Sequence, residues 1–266
     1  MRDFAWRRWI AWILITTLFA LGCVALSQWQ FARRAEAVAK IEKVIANYDQ
    51  PAVPIESALP NRAYVDDLEW RPIEVIGNYL PETMRLVRNR PLNGQPGFVQ
   101  LVIFKTNSGA LITIERGWLA TDSNLAVPEL VPTPSSQSMT LVGRLRAQEP
   151  ALNREGESGQ LASINVPTYF EAIGFGEPDY PNLYLRLVSE APTAAAQLTE
   201  LPKPRMDEGN HLSYALQWIL FALMGISALI WGIRQELRIR SGAPGTRRRK
   251  TRADRDAEIE DQVLSR

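Results

Sequence analysis

The chain has a single histidine, His211, and it stands at the start of a strongly apolar stretch. Tyr214, Ala215 and Trp218 follow it at the i+3, i+4 and i+7 positions that share one face of a helix. An imidazole beside two flat aromatic rings suits an axial ligand of haem iron with a wall for the porphyrin. The same residue types are typical of the water boundary of a membrane span, where they have no chemical role. The residues alone therefore leave two interpretations open, an iron ligand and an interfacial side chain.

The stretch that follows the histidine is long enough to cross a membrane as a helix. Residues 212–233 are 22 residues without a charge, which is roughly 33 Å of helix. A second uncharged stretch of 21 residues, 9–29, lies near the N-terminus. It is longer than the apolar core of a signal peptide, and no small-residue cleavage site closes it cleanly. We therefore predict two transmembrane helices, which place both termini on the same side of the membrane.

The distribution of charge orients these helices and bounds the possible partners. Residues 211–266 carry 10 basic and 6 acidic side chains, whereas residues 30–210 carry 17 basic and 22 acidic ones. Basic residues favour the cytoplasmic side, so both termini are predicted inside and the middle outside. The basic residues of the middle segment are scattered among acids, so nucleic acid is not an expected partner. The predicted organisation is a cytoplasmic N-terminus (1–8), a transmembrane helix (9–29), an extracytoplasmic β-rich domain (30–210), a second transmembrane helix (211–233) and a basic, disordered cytoplasmic tail (234–266).

The outer segment changes from helical to strand-like patterns along its length. Residues 30–48 contain good helix formers and no Gly or Pro, so the first membrane helix is predicted to continue outward until the prolines that follow. Alternating or apolar stretches then predict about seven strands, with a hairpin turn at 106–109 and a short helix at 166–173. The strands are predicted at 70–79, 83–90, 98–105, 110–119, 139–145, 161–166 and 183–188. The fold class is α+β, in which two transmembrane helices flank an antiparallel sheet or partial barrel.

Cysteine usage and motif searches exclude several classes of function. Cys23 is the only cysteine and lies within the first span, so the chain forms no intramolecular disulfide. One cysteine and one histidine do not supply the ligands of an ordinary zinc site. We find no phosphate-binding loop, dinucleotide-binding glycine pattern or nucleophile elbow. The sequence therefore predicts a protein that is not an enzyme.

Four segments, in order along the chain, resemble the motifs of one known family. Residues 26–33 (LSQWQFAR) resemble Leu-Gly-x-Trp-Gln-x-x-Arg, and residues 90–98 (RPLNGQPGF) match an Arg-Pro-x-x-Gly-x-x-Gly turn. Residues 114–119 (IERGWL) are similar to a Val-Asn-Arg-Gly-Trp-Val strand, and residues 210–218 (NHLSYALQW) to an Asn-His-x-x-Tyr-Ala-x-x-Trp helix start. These motifs and the two-span topology are those of the Surfeit locus protein 1 family, which assembles haem-copper cytochrome c oxidase.

The resemblance has departures, and they concern local details. Ser27 stands where the family usually has Gly, Glu115 where it has Asn, and Ala120 where it has Pro. Gly209 replaces one of two asparagines that precede the histidine. These differences put helix contacts and strand ends in question.

The resemblance also implies a function, a cofactor and partners. It implies a membrane assembly factor that binds haem a transiently and aids its insertion into oxidase subunit I. His211 would be the iron ligand, Tyr214 and Trp218 the aromatic contacts, and Arg33 a partner for the haem propionates. The implied partners are cytochrome c oxidase subunit I, haem a synthase and membrane lipid. The implied location is the bacterial plasma membrane, or the mitochondrial inner membrane in a eukaryote. The alternative is a chaperone that binds oxidase subunits and no haem.

Overall fold

The structure is a computed structural model in which two compact units can be distinguished. It describes residues 6–121, 128, 130–152, 159–193 and 198–241. One unit contains residues 1–37 and 208–266, and the other contains residues 38–207. The tail predicted to be disordered lies outside the described residues from position 242 onward.

Two long helices dominate the first unit. Helix α1 (Trp6–Asn47) has 42 residues and continues into the second unit, which confirms that the first apolar helix runs on past its apolar stretch. Helix α4 (His211–Arg240) has 30 residues and extends beyond the apolar stretch predicted from the sequence. Only 11% and 6% of their most apolar windows are buried, so neither is the core helix of a soluble domain. Both are long and apolar enough to cross a membrane, and the chain is a membrane protein.

The side chains that α1 turns inward recur every seven residues, which is the spacing of paired helices. Cys23 and Ser27 are buried on α1, and Ala215 and Ala222 are buried on α4. A Cβ added at Gly225 would lie 3.2 Å from the Phe19 ring, so the helices approach closely there. Small residues allow such an approach in a membrane. Other half-buried residues of the two helices are Thr16, Gln30 and Arg34 on α1 and Trp218, Leu229 and Gly232 on α4.

A closed barrel forms the second unit. Its strands are β2 (Pro72–Val87), β3 (Gly97–Thr106), β4 (Leu111–Ala120), β5 (Met139–Ala147) and β7 (Leu183–Ala191). They follow the order β2-β3-β4-β7-β5, and β5 pairs with β2 to close the barrel. The β4–β7 pair is parallel and the other pairs between these strands are antiparallel. The prediction of a β-rich domain between two membrane helices is confirmed, and the barrel is closed rather than partial.

Short elements decorate the barrel. Strands β1 (Val53–Pro54) and β6 (Gln160–Leu161) each pair in parallel with β2. Helix α2 (Ile55–Ala58) follows β1, and a 3-10 helix spans Asp66–Leu68. Helix α3 (Val166–Ala172) confirms the predicted short helix.

Two of the predicted strands are a single strand in the structure. The segments 70–79 and 83–90 belong to β2, whose register against β3 shifts between Leu80 and Arg85. Pro81 stands within this irregular part, where a missing amide hydrogen does not interrupt the ladder. The Thr83 hydroxyl donates to the Leu80 carbonyl at 2.7 Å and accepts from the Ile103 amide at 3.0 Å. This hydroxyl bridges the bulge, so the chain continues as a strand instead of turning.

The predicted strand at 161–166 is wrong beyond its first residue. Strand β6 ends at Leu161, and the following residues lead into α3, which begins at Val166. The Asn165 side chain accepts a hydrogen bond from the Thr168 amide at 3.2 Å, which is a helix N-cap. The apolar residues of this stretch, such as Ile164, are buried against the barrel without forming a ladder.

The C-terminal end of α1 packs within the barrel unit through aromatic rings. Val44, Tyr48 and Trp70 form a buried cluster. The Arg144 guanidinium lies 3.6 Å from the centre of the Tyr48 ring, and Arg146 lies at the same distance over Trp70. Cation–π contacts of this kind add to the burial of the rings. They fix the last turns of α1 to strand β5.

Candidate functional site

His211 is the first residue of α4, and its imidazole is held by a side chain of α1. The Nδ1 atom lies 2.8 Å from the Oε1 atom of Gln30. An amide oxygen can only accept a hydrogen bond, so Nδ1 donates, and in the neutral imidazole Nε2 then keeps its lone pair. This arrangement fixes one tautomer and leaves the nitrogen that can ligate a metal free of that contact.

The residues before His211 explain how the chain presents the ring. Gly209 has φ +71°, in the left-handed region that glycine adopts at no steric cost. Asparagine is the next most tolerant residue there, which accounts for the family's asparagine at the same place. A Cβ at position 209 would lie 3.5 Å from Cδ2 and 3.6 Å from Nε2 of His211. The absence of a side chain therefore keeps the Nε2 edge of the ring less crowded.

Tyr214 and Trp218 differ in exposure, although both stand at the predicted helical spacing from His211. Tyr214 is 51% exposed, whereas Ala215 is fully buried in the helix pair. Trp218 is half-buried and makes an edge-to-face contact with Phe221, with ring centres 5.7 Å apart. The predicted aromatic stripe is therefore divided between one outward ring and one ring that flanks the helix seam.

The predicted arginine has a local partner on its own helix. The Arg33 Nη1 atom lies 2.9 Å from the Glu36 carboxylate, and its guanidinium lies 5.8 Å from the Trp29 ring centre. Arg33 and Glu36 are both exposed by more than half of their side-chain surface. The structure thus places Arg33 at the surface of α1 and assigns Gln30 to the histidine.

Arg34 is the arginine that the structure brings to the start of α4. Its Nη2 atom lies 2.8 Å from the carboxylate of Glu208, three residues before the histidine. Gln30 and Arg34 are four residues apart, so they share the face of α1 that meets the beginning of α4. Neither residue was predicted from the sequence as part of the site. The seven-residue spacing from Cys23 to Gln30 was the signal that could have identified this face.

The other family motifs meet inside the barrel unit. The Trp118 indole nitrogen donates to the carbonyl oxygen of Arg90 at 2.5 Å, which joins the strand motif to the Arg-Pro turn. Trp118 is only 5% exposed, so the tryptophan of the strand motif is buried. Gly94 has φ +82° and serves the turn, whereas Gly97 makes room, since a Cβ there would lie 2.4 Å from the indole.

Comparison with known proteins agrees with these motifs. The family model described as "SURF1 family" matches residues 17–223, from within α1 to within α4. An uncharacterized SURF1-like protein of Mycobacterium bovis is 29% identical over 240 residues, which cover 87% of this chain and 86% of the relative. An uncharacterized SURF1-like protein of Mycobacterium tuberculosis has the same identity and coverage. Because the family model spans the whole barrel, most of α1 and the beginning of α4, the chain belongs to the SURF1 family, whose members are associated with cytochrome c oxidase assembly.

Proposed function

We propose that this protein receives haem a at the outer face of the plasma membrane and passes it to subunit I of cytochrome c oxidase. The observation that carries the proposal is the His211–Gln30 pair, which leaves Nε2 of the only imidazole with its lone pair. A haem group supplies an iron that accepts such a nitrogen as an axial ligand. The family is one of assembly factors rather than known enzymes, which agrees with a carrier role.

The site fits a cofactor that must leave again. The chain contains one histidine, so it provides one imidazole. A cofactor held by one protein ligand dissociates more readily than one held by two. Exposed Tyr214 offers a flat ring, and the farnesyl tail of haem a would be solvated by the hydrocarbon around α4.

Two arginines of α1 are candidates for the haem propionates. Guanidinium groups bind carboxylates in a two-pronged fashion. Arg33 was proposed from the family motif, and its only partner among the described hydrogen bonds is exposed Glu36. Arg34 shares the helix face of Gln30, and its Nε atom is buried with no acceptor among the described residues. We propose that one of these two guanidinium groups pairs with a propionate.

The orientation of the protein follows from the basic residues at both ends. Arg7 and Arg8 precede the first apolar stretch, and Arg234 and Arg238 follow the second. We propose that both termini are cytoplasmic and that the barrel is extracytoplasmic, with membrane lipid around both helices. Mycobacterial relatives support a bacterial plasma membrane. The proposed protein partners are oxidase subunit I and haem a synthase.

An absorption spectrum of the purified protein tests the proposal. The full chain is produced in cells that synthesise haem a and is purified in mild detergent. We expect a haem a spectrum that His211→Ala abolishes or strongly shifts, while the protein stays in the membrane. Ser213→Ala is the matched control, because Ser213 is an exposed neighbour on the same turn.

A second outcome would favour the alternative function. If His211→Ala keeps full haem occupancy and an unaltered spectrum, the histidine is not the ligand. If the natural chain carries no haem and still co-purifies with oxidase subunits, it is a chaperone for those subunits.

A further inference from the structure

The barrel unit contains a cleft of about 200 Å³ between strands β4 and β7. Charged side chains line it from both strands, namely Glu115 and Arg116 of β4 and Arg186 and Glu190 of β7. The segment that follows β7 closes one side of it with Leu198, Glu200 and Leu201. The proposed haem transfer through His211 assigns no role to this cleft.

The cleft exists because two parallel strands separate. Strands β4 and β7 share only two register pairs, Ile114 with Leu185 and Glu115 with Arg186. Immediately afterwards Arg116 is the extra residue of a bulge in β4, since Leu101 pairs with Glu115 and Gln100 with Gly117. A bulge bends its strand and re-aims a side chain, and bulges are frequent beside functional sites.

A second bulge bends β7 at the same level. Gly143 of β5 pairs with Leu187 and Val142 pairs with Ser189, so Val188 is the extra residue. Among the described residues, the other edge of β7 has no strand partner after Arg186. The corresponding edge of β4 is occupied instead, because Trp118 exchanges two backbone hydrogen bonds with Thr199 at 2.8 and 3.1 Å. The free strand edge in the cleft therefore belongs to β7.

The guanidinium of Arg116 is buried in the cleft with incomplete hydrogen bonding. Its side chain is 3% exposed. One Nη atom donates to Gln100 Oε1 at 2.7 Å, and the other lies 3.4 Å from Glu190 Oε1. The Nε–H group is buried and has no acceptor among the residues that the structure describes. A buried donor without an acceptor is rare and requires an explanation.

The remaining charges are fixed by neighbours. The Tyr79 hydroxyl donates to the second oxygen of Glu190 at 2.9 Å. Burial of Tyr79 raises its pKa most, and the nearby Glu190 carboxylate raises it further, so the hydroxyl stays protonated. Arg186 binds Glu115 at 2.6 Å. Burial alone would lower the pKa of Arg186, but the Glu115 carboxylate raises it above its ordinary value. The guanidinium of Arg186 is therefore charged and bound to Glu115.

Stability alone does not explain this arrangement. Removing ionic groups from water is costly, and apolar residues of similar volume commonly stabilise a core at least as well as a buried ion pair. A half-satisfied guanidinium between two splayed strands is the arrangement expected of a site that waits for an acceptor. The 3.4 Å contact between Arg116 and Glu190 is long enough to yield to a better one.

We infer that the cleft binds an extended peptide segment that adds a strand to the free edge of β7. The segment would pair with the backbone of residues 187–191 and place a carbonyl oxygen at the Nε–H of Arg116. Strand addition to an open sheet edge is a common mode of peptide recognition. The identity of the segment rests on the proposed function: it is an extracytoplasmic loop of an oxidase subunit.

The lining residues define the chemistry of that segment. Two guanidinium groups face three carboxylates when exposed Glu200 is included, so the cleft is negative and an acidic segment is disfavoured. Leu187, Leu198 and Leu201 add apolar surface to the lining of the cleft. The preferred segment is neutral or basic, with one apolar side chain that faces the leucines.

Peptide binding to the full chain in detergent tests this inference. Fluorescent peptides of about a dozen residues, tiling the extracytoplasmic loops of the oxidase subunits of the same cell, are titrated by anisotropy. We expect one or a few neutral or basic peptides to bind saturably. The absence of binding by every peptide would overturn the inference.

Two variants test whether the peptide binds in the cleft, and a third variant is the matched control for the charge change. Ser189→Trp fills the mouth of the cleft from an exposed position, and Glu200→Arg reverses its excess charge; we expect each to weaken binding at least roughly tenfold. Glu171→Arg makes the same charge change on exposed α3 and should leave binding unchanged. Equal effects of Glu200→Arg and Glu171→Arg, or no effect of Ser189→Trp, would place the peptide elsewhere.

The haem proposal and the peptide inference fail in different experiments. Haem occupancy depends on His211 and is measured by absorption, whereas peptide affinity depends on the barrel. A chain that binds haem and no loop peptide refutes the cleft, and a chain that binds loop peptides and no haem refutes the carrier role alone.

Discussion

At the scale of single residues, one hydrogen bond determines what the only imidazole can do. Gln30 accepts at 2.8 Å from Nδ1 of His211, across 181 residues of sequence. Partners of this kind fix the orientation and tautomer of a ligating histidine and raise its basicity. The proposed iron ligand, His211, is therefore positioned by a side chain of the other helix.

The role of Gln30 is tested by removing its acceptor oxygen. Gln30→Leu keeps the size of the side chain but leaves Nδ1 of His211 without its partner. We expect haem retention to fall roughly tenfold, the range for loss of such a partner, with the iron still ligated by imidazole in its absorption spectrum. Gln30→Glu supplies an acceptor again and should restore retention. Unchanged haem affinity in Gln30→Leu would show that the tautomer is not controlled from α1.

The two arginines of α1 are distinguished by parallel substitutions. Arg33→Ala and Arg34→Ala each remove one guanidinium, and neither touches the imidazole. We expect the one that pairs with a propionate to release haem faster in a transfer assay to apomyoglobin, while the position of the absorption bands stays the same. Equal and unaltered release rates in both variants would remove the propionate role from this helix.

At the scale of elements, strand β4 combines a packing role with a bulge that lines the cleft. Its bulge turns Arg116 into the cleft, and two residues later Trp118 packs against Gly97 of β3 and binds the Arg90 carbonyl. Gly117 between them has φ +152° and lies beside Leu198, with 2.7 Å from an added Cβ to that side chain. Gly97 and Gly117 therefore allow neighbouring side chains to approach the backbone closely, and Trp118 stabilises the barrel by packing there.

The packing role of Trp118 predicts a stability effect. Trp118→Ala removes a side chain that is 5% exposed and should lower the free energy of unfolding of the barrel by roughly 3 kcal/mol. Trp118→Phe keeps a ring and should cost less. Thermal unfolding followed by near-ultraviolet circular dichroism measures both. An unchanged midpoint for Trp118→Ala would show that the indole contributes little to the core.

At the scale of the whole molecule, the two long apolar helices α1 and α4 flank the barrel along the chain. Both helices expose their apolar side chains, since only small fractions of their most apolar windows are buried. Helix α1 belongs to both compact units, because the division between them falls at residue 37 within it. The apolar surface that remains suits a lipid environment.

Topology is tested by reporter fusions. A reporter that folds only outside the cytoplasm should be active when fused after residue 100 and inactive when fused after residue 245. The reason is the excess of basic residues after α4, which favours the cytoplasmic side. The complementary cytoplasmic reporter serves as the control. The reverse pattern would move His211 to the inner face of the membrane and refute haem transfer at the outer face.

Much of the local structure was determined by the sequence itself. Both apolar helices, the outward continuation of α1, the hairpin between β3 and β4 and the helix α3 were predicted from residues close together in the chain. Helical spacing, turn composition and an N-cap such as Asn165 act within a few residues, so their outcome can be read locally. The choice of His211 as the central residue also came from the sequence, because no other histidine exists.

The tertiary structure decided which of these pieces meet. The barrel is closed by the β2–β5 pair and by the short parallel contact between β4 and β7, and neither pairing leaves a pattern in either strand alone. For the same reason Gln30 meets His211 in the structure, and Arg116 faces Glu190 across 74 residues. These contacts depend on the register and rotation of elements distant in sequence, which are set by packing of the whole unit and not by the spacing of residues along one element.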